Sequence, residues 1–135
     1  MKVERILETV LYAGDLDAAE RFYGGVLGLE CFAREAGRHV FFRCGNQVFL
    51  VFDPAVTRVP PSGGLAIPPH GATGAGHVCF ACTGADIDRW RARLVEHGVA
   101  IESEFEWPQG GRSLYFRDPA GNCLEFAEPR IWGLA

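Results

Sequence analysis

The chain has 135 residues, 48% hydrophobic and 22% charged, with a formal net charge of −4 at pH 7. That is the length and balance of one soluble globular domain with a real core. A net negative charge without a basic stripe argues against a nucleic-acid partner, and no apolar run reaches the roughly 18–20 residues of a membrane span, so the expected partner is a small molecule.

In chain order, residues 5–13 alternate as a half-buried strand does, with Thr9, Leu11 and Ala13 on one face and Glu8, Val10 and Tyr12 on the other. Asp15 is an N-cap for a helix whose apolar stripe is Leu16, Ala19, Phe22, Tyr23, Val26 and Leu27, and Gly28 ends it. Strands are predicted near 30–35, 38–44 and 47–52. Residues 53–76 hold five of the eight prolines and neither helical nor strand period, so they read as a linker. A second strand (His77–Cys82) and a helix over 85–97 follow, the helix turning Ile87, Trp90, Leu94 and Val95 inward and capped by Gly98. Three more strands are predicted near 100–105, 112–117 and 122–127. Between the last two, Asp118-Pro119-Ala120-Gly121-Asn122 reads as a turn in which Pro fixes φ and Gly-Asn takes positive φ. The tail from Pro129 to Ala135 carries Ile131, Trp132 and Leu134, and is expected to pack on its own chain or on a second copy.

The five cysteines are odd in number and sit mostly in strand-like runs. They read as small apolar side chains in a reducing cytoplasm. Cys79-x-x-Cys82 looks like a redox or zinc motif, but residues three apart on a strand point to opposite faces.

The two halves are copies. FFRCGN at 41–46 matches YFRDPAGN at 115–122, and each follows a strand, a helix and a glycine. One such module cannot bury its apolar face alone, whereas two can pair and build a site between them. The expected fold is α+β: two tandem βαβββ modules forming an open, cup-shaped mixed sheet with helices outside. The single domain 1–135 divides into module one (1–54), a Pro/Gly-rich linker (55–75), module two (76–130) and an apolar tail (131–135).

Strand parity then selects the chemistry. With Thr9, Leu11 and Ala13 under the first helix, Glu8 faces the cup, and His77 does so by the same count. Leu124 and Phe126 belong under the second helix, which turns Glu125 inward. Singly, a His at a strand start or a Glu at a strand end is a solvated residue. At matching positions of a repeat, one imidazole and two carboxylates make a site for Zn, Mn, Fe, Ni or Co with positions left open. Arg38, His39, Arg112 and Tyr115 lie on strands that would line the cup as substrate-binding residues, the arginines gripping an anionic group. Arg38 and Arg112 read equally well as solvated strand ends. Trp107, in the loop Trp107–Gly111, would stack on a flat ligand. Arg43 and Arg117 sit beside turns and read as structural, while His70 and His97 carry no assigned role.

The stretches DLDAAERFYGGVLGLE (15–30), GHVCFAC (76–82) and RSLYFRDPAGNCLEFAEP (112–129) resemble the vicinal oxygen chelate superfamily over nearly the whole chain. That superfamily holds glyoxalase I, extradiol dioxygenases, fosfomycin-resistance enzymes and bleomycin-binding proteins. The resemblance implies a glyoxalase-like fold, with Glu125 as the last metal ligand and His77 as the ligand opening module two. The family's first ligand, most often His, falls here on Glu8. Its optional ligand falls on Phe49 counted from the Gly-Asn turn, or on Leu50 counted back from Pro54, and neither binds metal. Phe49 is instead a candidate substrate contact. The resemblance further implies a homodimer with shared sites, Glu8 from one subunit and His77 with Glu125 from the other. The activity it implies is a metal-dependent enzyme that chelates two oxygens of a small molecule, with Glu125 or Glu8 as catalytic base. Lyase or isomerase chemistry ranks ahead of oxygenase or thiol transfer. The alternative is a metal-free binding protein working through Trp107, Phe49 and Tyr115.

Overall fold

The alternation at the start of the chain becomes β1 (Glu8–Tyr12), shorter than the predicted strand. In this computed structural model, which describes residues 1–135, strand geometry stops where pairing stops: Leu7 only accepts a hydrogen bond from Val48 N, at 3.1 Å. The chain divides into two compact units, Met1–Gly74 and Ala75–Ala135.

In the first unit, Asp15 caps α1 (Leu16–Glu20), its carboxylate accepting from Ala18 N at 2.9 Å. The helix widens into a π-helical stretch, Arg21–Val26, with Leu27 N donating to Phe22 O at 3.1 Å. Gly24 and Gly25 put no side chains on that turn, and the consecutive Phe22 and Tyr23 are both buried. β2 (Glu30–Glu35), β3 (His39–Cys44) and β4 (Gln47–Phe52) complete a sheet of order β1-β4-β3-β2, with β1 parallel to β4. Thr9 and Leu11 pair with Phe49 and Val51, and Val40 and Phe42 pair with Val51 and Phe49. These residues share the helix-facing side, where Tyr23 meets Phe49 at 4.8 Å and Phe42 at 5.7 Å between ring centroids.

Residues 54–57 depart from the linker reading. Asp53 caps a short helix, α2 (Pro54–Thr57), with Pro54 in the first turn, where its missing N–H costs nothing. His70 also packs on module one. Its backbone N–H donates to Thr57 O at 2.9 Å, its Nδ1 shares a 2.6 Å hydrogen bond with Tyr12, and its ring meets Phe52 at 5.1 Å.

The second unit repeats the plan. β5 (His77–Ala81) leads to α3 (Gly84–Glu96), capped by Thr83, whose hydroxyl accepts from Asp86 N at 3.1 Å. β6 (Ser103–Glu106), β7 (Arg112–Arg117) and β8 (Cys123–Ala127) give the order β5-β8-β7-β6, with β5 parallel to β8. Leu114, Phe116, Leu124 and Phe126 are buried on the α3 side, where Trp90 stacks on Phe126 at 4.4 Å. A 3-10 turn, Pro129–Trp132, ends the chain. It buries Ile131 and pairs Arg130 with Glu128 at 3.0 Å, while Trp132 and, beyond the turn, Leu134 are exposed.

The turn before β8 works differently from its sequence reading. Gly121 has φ +89°, but Asn122 does not take positive φ. Asn122 contributes its buried side chain: Nδ2 donates to Asp118 Oδ2 at 2.9 Å, and Oδ1 accepts from Gly76 N at 2.8 Å. That second bond ties the turn to the residue just before His77, fixing the start of β5 against β8.

Candidate functional site

β5 and β8 run in parallel with His77 opposite Cys123 and Cys79 opposite Glu125, and β7 adds Tyr115 opposite Glu125. These residues occupy the face turned away from α3. Glu125 is buried (5% exposed), whereas His77 is half-exposed at its side chain. His77 Nδ1 lies 2.9 Å from the carbonyl of Cys123. A carbonyl only accepts, so Nδ1 carries a proton and Nε2 is the nitrogen turned to Glu125. That Nε2 stands 3.3 Å from Glu125 Oε2, and Glu125 Oε1 is buried with no hydrogen-bond partner.

The pair is therefore complete only with a positive charge: a proton on Nε2, or a cation between nitrogen and carboxylate. The donor set fits a divalent ion. Nε2 is held in the ligating tautomer by a backbone carbonyl, the usual support for a metal-binding His, and Oε1 is an uncommitted oxygen donor. Burial, then the neighbouring Glu125 carboxylate, pushes the Tyr115 phenol up to about 12. The Cys79 residue is exposed as a whole, yet burial of its sulfur, with Glu125 beside it, pushes the thiol up to about 12. Cys82 lies one residue past the end of β5, with Asp86 and Glu128 near its thiol, which burial pushes up to about 11.

An aromatic row runs across the same face. Tyr115 stacks near His77 at 6.4 Å and on Phe105 at 5.8 Å, and Phe105 meets Trp107 edge-on at 4.9 Å. Trp107 is fixed by its indole N–H donating to Ser113 Oγ at 2.8 Å. Phe105 has no role in the sequence reading, although it shares a face with Ser103, which pairs with Tyr115.

Two predicted substrate contacts lie elsewhere. Arg112 shares the parity of Leu114 and Phe116 and points to the helix side, where its guanidinium donates to Asp88 at 2.8 Å, Glu104 at 2.7 Å and Gly84 O at 3.2 Å. It is a structural clamp, not a lining residue. Phe49 is likewise in the core under α1, 2% exposed. The register settles the optional-ligand position: Leu50 pairs with Phe41 and Val10 as Glu125 pairs with Tyr115 and Cys79, so Leu50 is the counterpart of Glu125.

Glu8 is exposed at the start of β1, on the face of sheet one that also carries Val10 and Leu50. His39 stacks on Phe41 at 4.0 Å on that face, and burial, with Arg38 beside it, lowers its pKa. Arg38 lies 5.6 Å over the Phe52 ring. Arg43 covers Phe32 at 4.4 Å, and Arg117 grips Glu102 at 2.6 and 3.0 Å, which are structural contacts. A depression of about 380 Å³ in module one is lined by Asp15, Asp17, Arg34, Glu35 and His39. Its Arg34 is committed to Asp17 and Glu20, so the converging chemistry lies on the module-two face instead. Nowhere are three His, Cys, Asp or Glu side chains gathered closely enough to hold a metal as they stand. No helix is long and apolar enough to cross a membrane.

The family model described as Glyoxalase/Bleomycin resistance protein/Dioxygenase superfamily matches residues 5–126. Among solved structures, lactoylglutathione lyase from Agrobacterium tumefaciens is 44% identical, with a TM-score of 0.95 over 99% of this chain and all of that one. Virulence protein STM3117 from Salmonella typhimurium is 25% identical, with a TM-score of 0.70 over 95% of this chain and 98% of that one. An integron cassette protein from V. cholerae, 24% identical with a TM-score of 0.70 over 95% and 97% of the two chains, shares the fold. No curated protein matches the chain.

Proposed function

Because the chain belongs to the glyoxalase/bleomycin resistance protein/dioxygenase superfamily, we propose that it is a metal-dependent enzyme of the lyase or isomerase type acting on a small molecule with two adjacent oxygens. The observation that carries this reading is the His77–Glu125 pair: an imidazole nitrogen and a carboxylate oxygen 3.3 Å apart, beside a buried carboxylate oxygen with no partner. The similarity to a lactoylglutathione lyase at 44% identity favours lyase chemistry over oxygenation. So does Glu8, since two His and one carboxylate are the usual set for O₂ chemistry at iron.

His77 and Glu125 would hold the ion, with Glu8 as a third donor from the second subunit of a homodimer. A bound Zn, Mn, Fe, Ni or Co ion supplies Lewis acidity to the two substrate oxygens. Glu125 or Glu8, on leaving the ion, would accept a proton from substrate carbon. Tyr115 and Trp107 would flank the substrate with flat apolar walls. The free state of all five thiols fits a reducing cytoplasm.

The test is turnover of thiol adducts of 1,2-dicarbonyl compounds by metal-reconstituted protein, with and without chelator, beside Glu125→Gln. Turnover lost with chelator and with the variant supports the reading. Turnover that survives both overturns it. The aromatic row favours a second reading, a metal-free protein that sequesters a planar compound. In that case binding survives chelator and Glu125→Gln, and fails in Trp107→Ala.

A further inference from the structure

Of the aromatic row on the module-two face, Phe105 and Tyr115 stand on paired strands, whereas Trp107 lies one residue past the end of β6. Its turn is closed by Trp107 N–H donating to Gly111 O and Gly110 N–H donating to Trp107 O, both at 2.8 Å. Gly110 and Gly111 have φ of +93° and +94° and no side chains, so the turn takes its position from what packs against it. One support is Ser113, fully buried, whose Oγ accepts from the indole N–H at 2.8 Å. The other is the 3-10 turn at the end of the chain. Ile131 is buried against Gly111, where even a β-carbon would stand 2.5 Å from Ile131 Cγ2 and 3.4 Å from Arg130 Cγ. That 3-10 turn is tied in its turn to the start of β7. Glu128 N–H donates to Arg112 O at 3.2 Å, Glu128 Oε2 accepts from Arg112 N at 2.8 Å, and Glu128 Oε1 accepts from Arg130 Nε at 3.0 Å.

We propose that Ile131 is a positioning residue for Trp107: its Cγ2 methyl, held in place through Glu128, fixes the backbone of Gly111 and with it the place of the indole. This rests on Trp107 flanking the ligand, which the metal-dependent and the metal-free readings share. A wall that is already fixed costs no ordering when a flat ligand stacks on it, whereas a wall that moves is ordered at the expense of affinity. The tail of the chain thereby sets how tightly the module-two face holds a planar group, without touching the ligand.

Protein labelled with 5-fluorotryptophan tests this by fluorine NMR, the Trp107 resonance being the one that Trp107→Phe removes. Ile131→Ala is expected to shift and broaden that resonance while Trp90, stacked on Phe126, keeps its own. Ile131→Val retains the Cγ2 methyl and is expected to leave both in place. Arg130→Ala repeats the test at the surface without opening the core, and should move the Trp107 resonance by less. In parallel, KM for the thiol adduct of phenylglyoxal is expected to rise roughly 2–10-fold in Ile131→Ala, the ordering cost of one large side chain. It should rise no further when Ile131→Ala is added to Trp107→Ala. A Trp107 resonance unmoved in Ile131→Ala and Arg130→Ala, one that moves as far in Ile131→Val, or effects on KM that multiply, overturns the positioning role and leaves the functional reading standing. An adduct that the native protein neither turns over nor binds overturns the functional reading instead, and the resonances then decide the positioning role alone.

Discussion

The two modules share a scaffold and differ in chemistry, and the difference is confined to one face of each sheet. On the helix side, apolar residues recur: Leu11, Val40, Phe49 and Val51 in module one, Phe80, Leu114, Leu124 and Phe126 in module two. On the opposite face, Glu8, Val10, Phe41 and Leu50 hold the places of His77, Cys79, Tyr115 and Glu125. Packing restricts a helix-facing position to residues that fill space, while the other face is free to diverge. A duplicated fold can therefore keep two cores and concentrate its chemistry in one copy.

Removing a helix-side ring should damage either module. Phe126→Ala and Phe49→Ala are each expected to cost about 3–5 kcal/mol in urea unfolding, since both rings are buried among aromatic neighbours. A loss below about 1 kcal/mol for Phe49→Ala would mean that its ring does not fill the core, because truncating a buried Phe leaves a cavity that costs several times more. Asn122→Ala is expected to cost about 1–3 kcal/mol, because it strips partners from the buried Asp118 carboxylate and from Gly76 N. His77 would lose its register against Cys123, so metal affinity should fall with stability.

Glu125→Leu gives module two what module one already has at Leu50. Without metal, it is expected to stabilise the protein by about 1–3 kcal/mol, since a buried unsatisfied oxygen is replaced by apolar volume. The same variant should bind no metal. Stability and function would thus be opposed at one residue, and a destabilised, metal-binding variant would break the comparison.

The smallest effect is a pH dependence on the helix side of module two. Hydrogen bonds from Arg91, and then from Arg112, hold the Glu104 carboxyl down from 4.5 to about 2. A carboxyl depressed on folding adds stability that is fully present above its unfolded value and is lost as pH falls through its folded value. The protein should therefore lose stability between about pH 4.5 and 2, and Glu104→Gln should flatten that part of the curve. The loss is expected to be about 1 kcal/mol, in keeping with partly solvated ion pairs. Thermal unfolding at stepped pH checks it.

Period-2 alternation carried most of this in the sequence. It put Leu11 and Phe126 under helices and turned His77 and Glu125 away from them, and the repeat fixed two βαβββ modules. The same parity, applied to Arg112 beside Leu114 and Phe116, would have removed it from the substrate contacts. Phe49 and Leu50 were ambiguous for a different reason. β3 and β4 pair up to Cys44 and Gln47 around Gly45-Asn46, whereas β7 and β8 stop at Arg117 and Cys123, so the two Gly-Asn signals mark different places in their turns. Asn122 and His70 were out of reach because their roles are long-range, reaching Gly76 and Tyr12 across separations that no local pattern encodes.

The most direct test of the central claim, that His77 and Glu125 hold a metal ion, is elemental analysis of protein reconstituted with Zn²⁺ and freed of excess. Near-stoichiometric metal in the native chain, lost in His77→Ala and in Glu125→Ala, is the predicted result. Metal retained by both variants, or absent from the native chain after reconstitution, would contradict it.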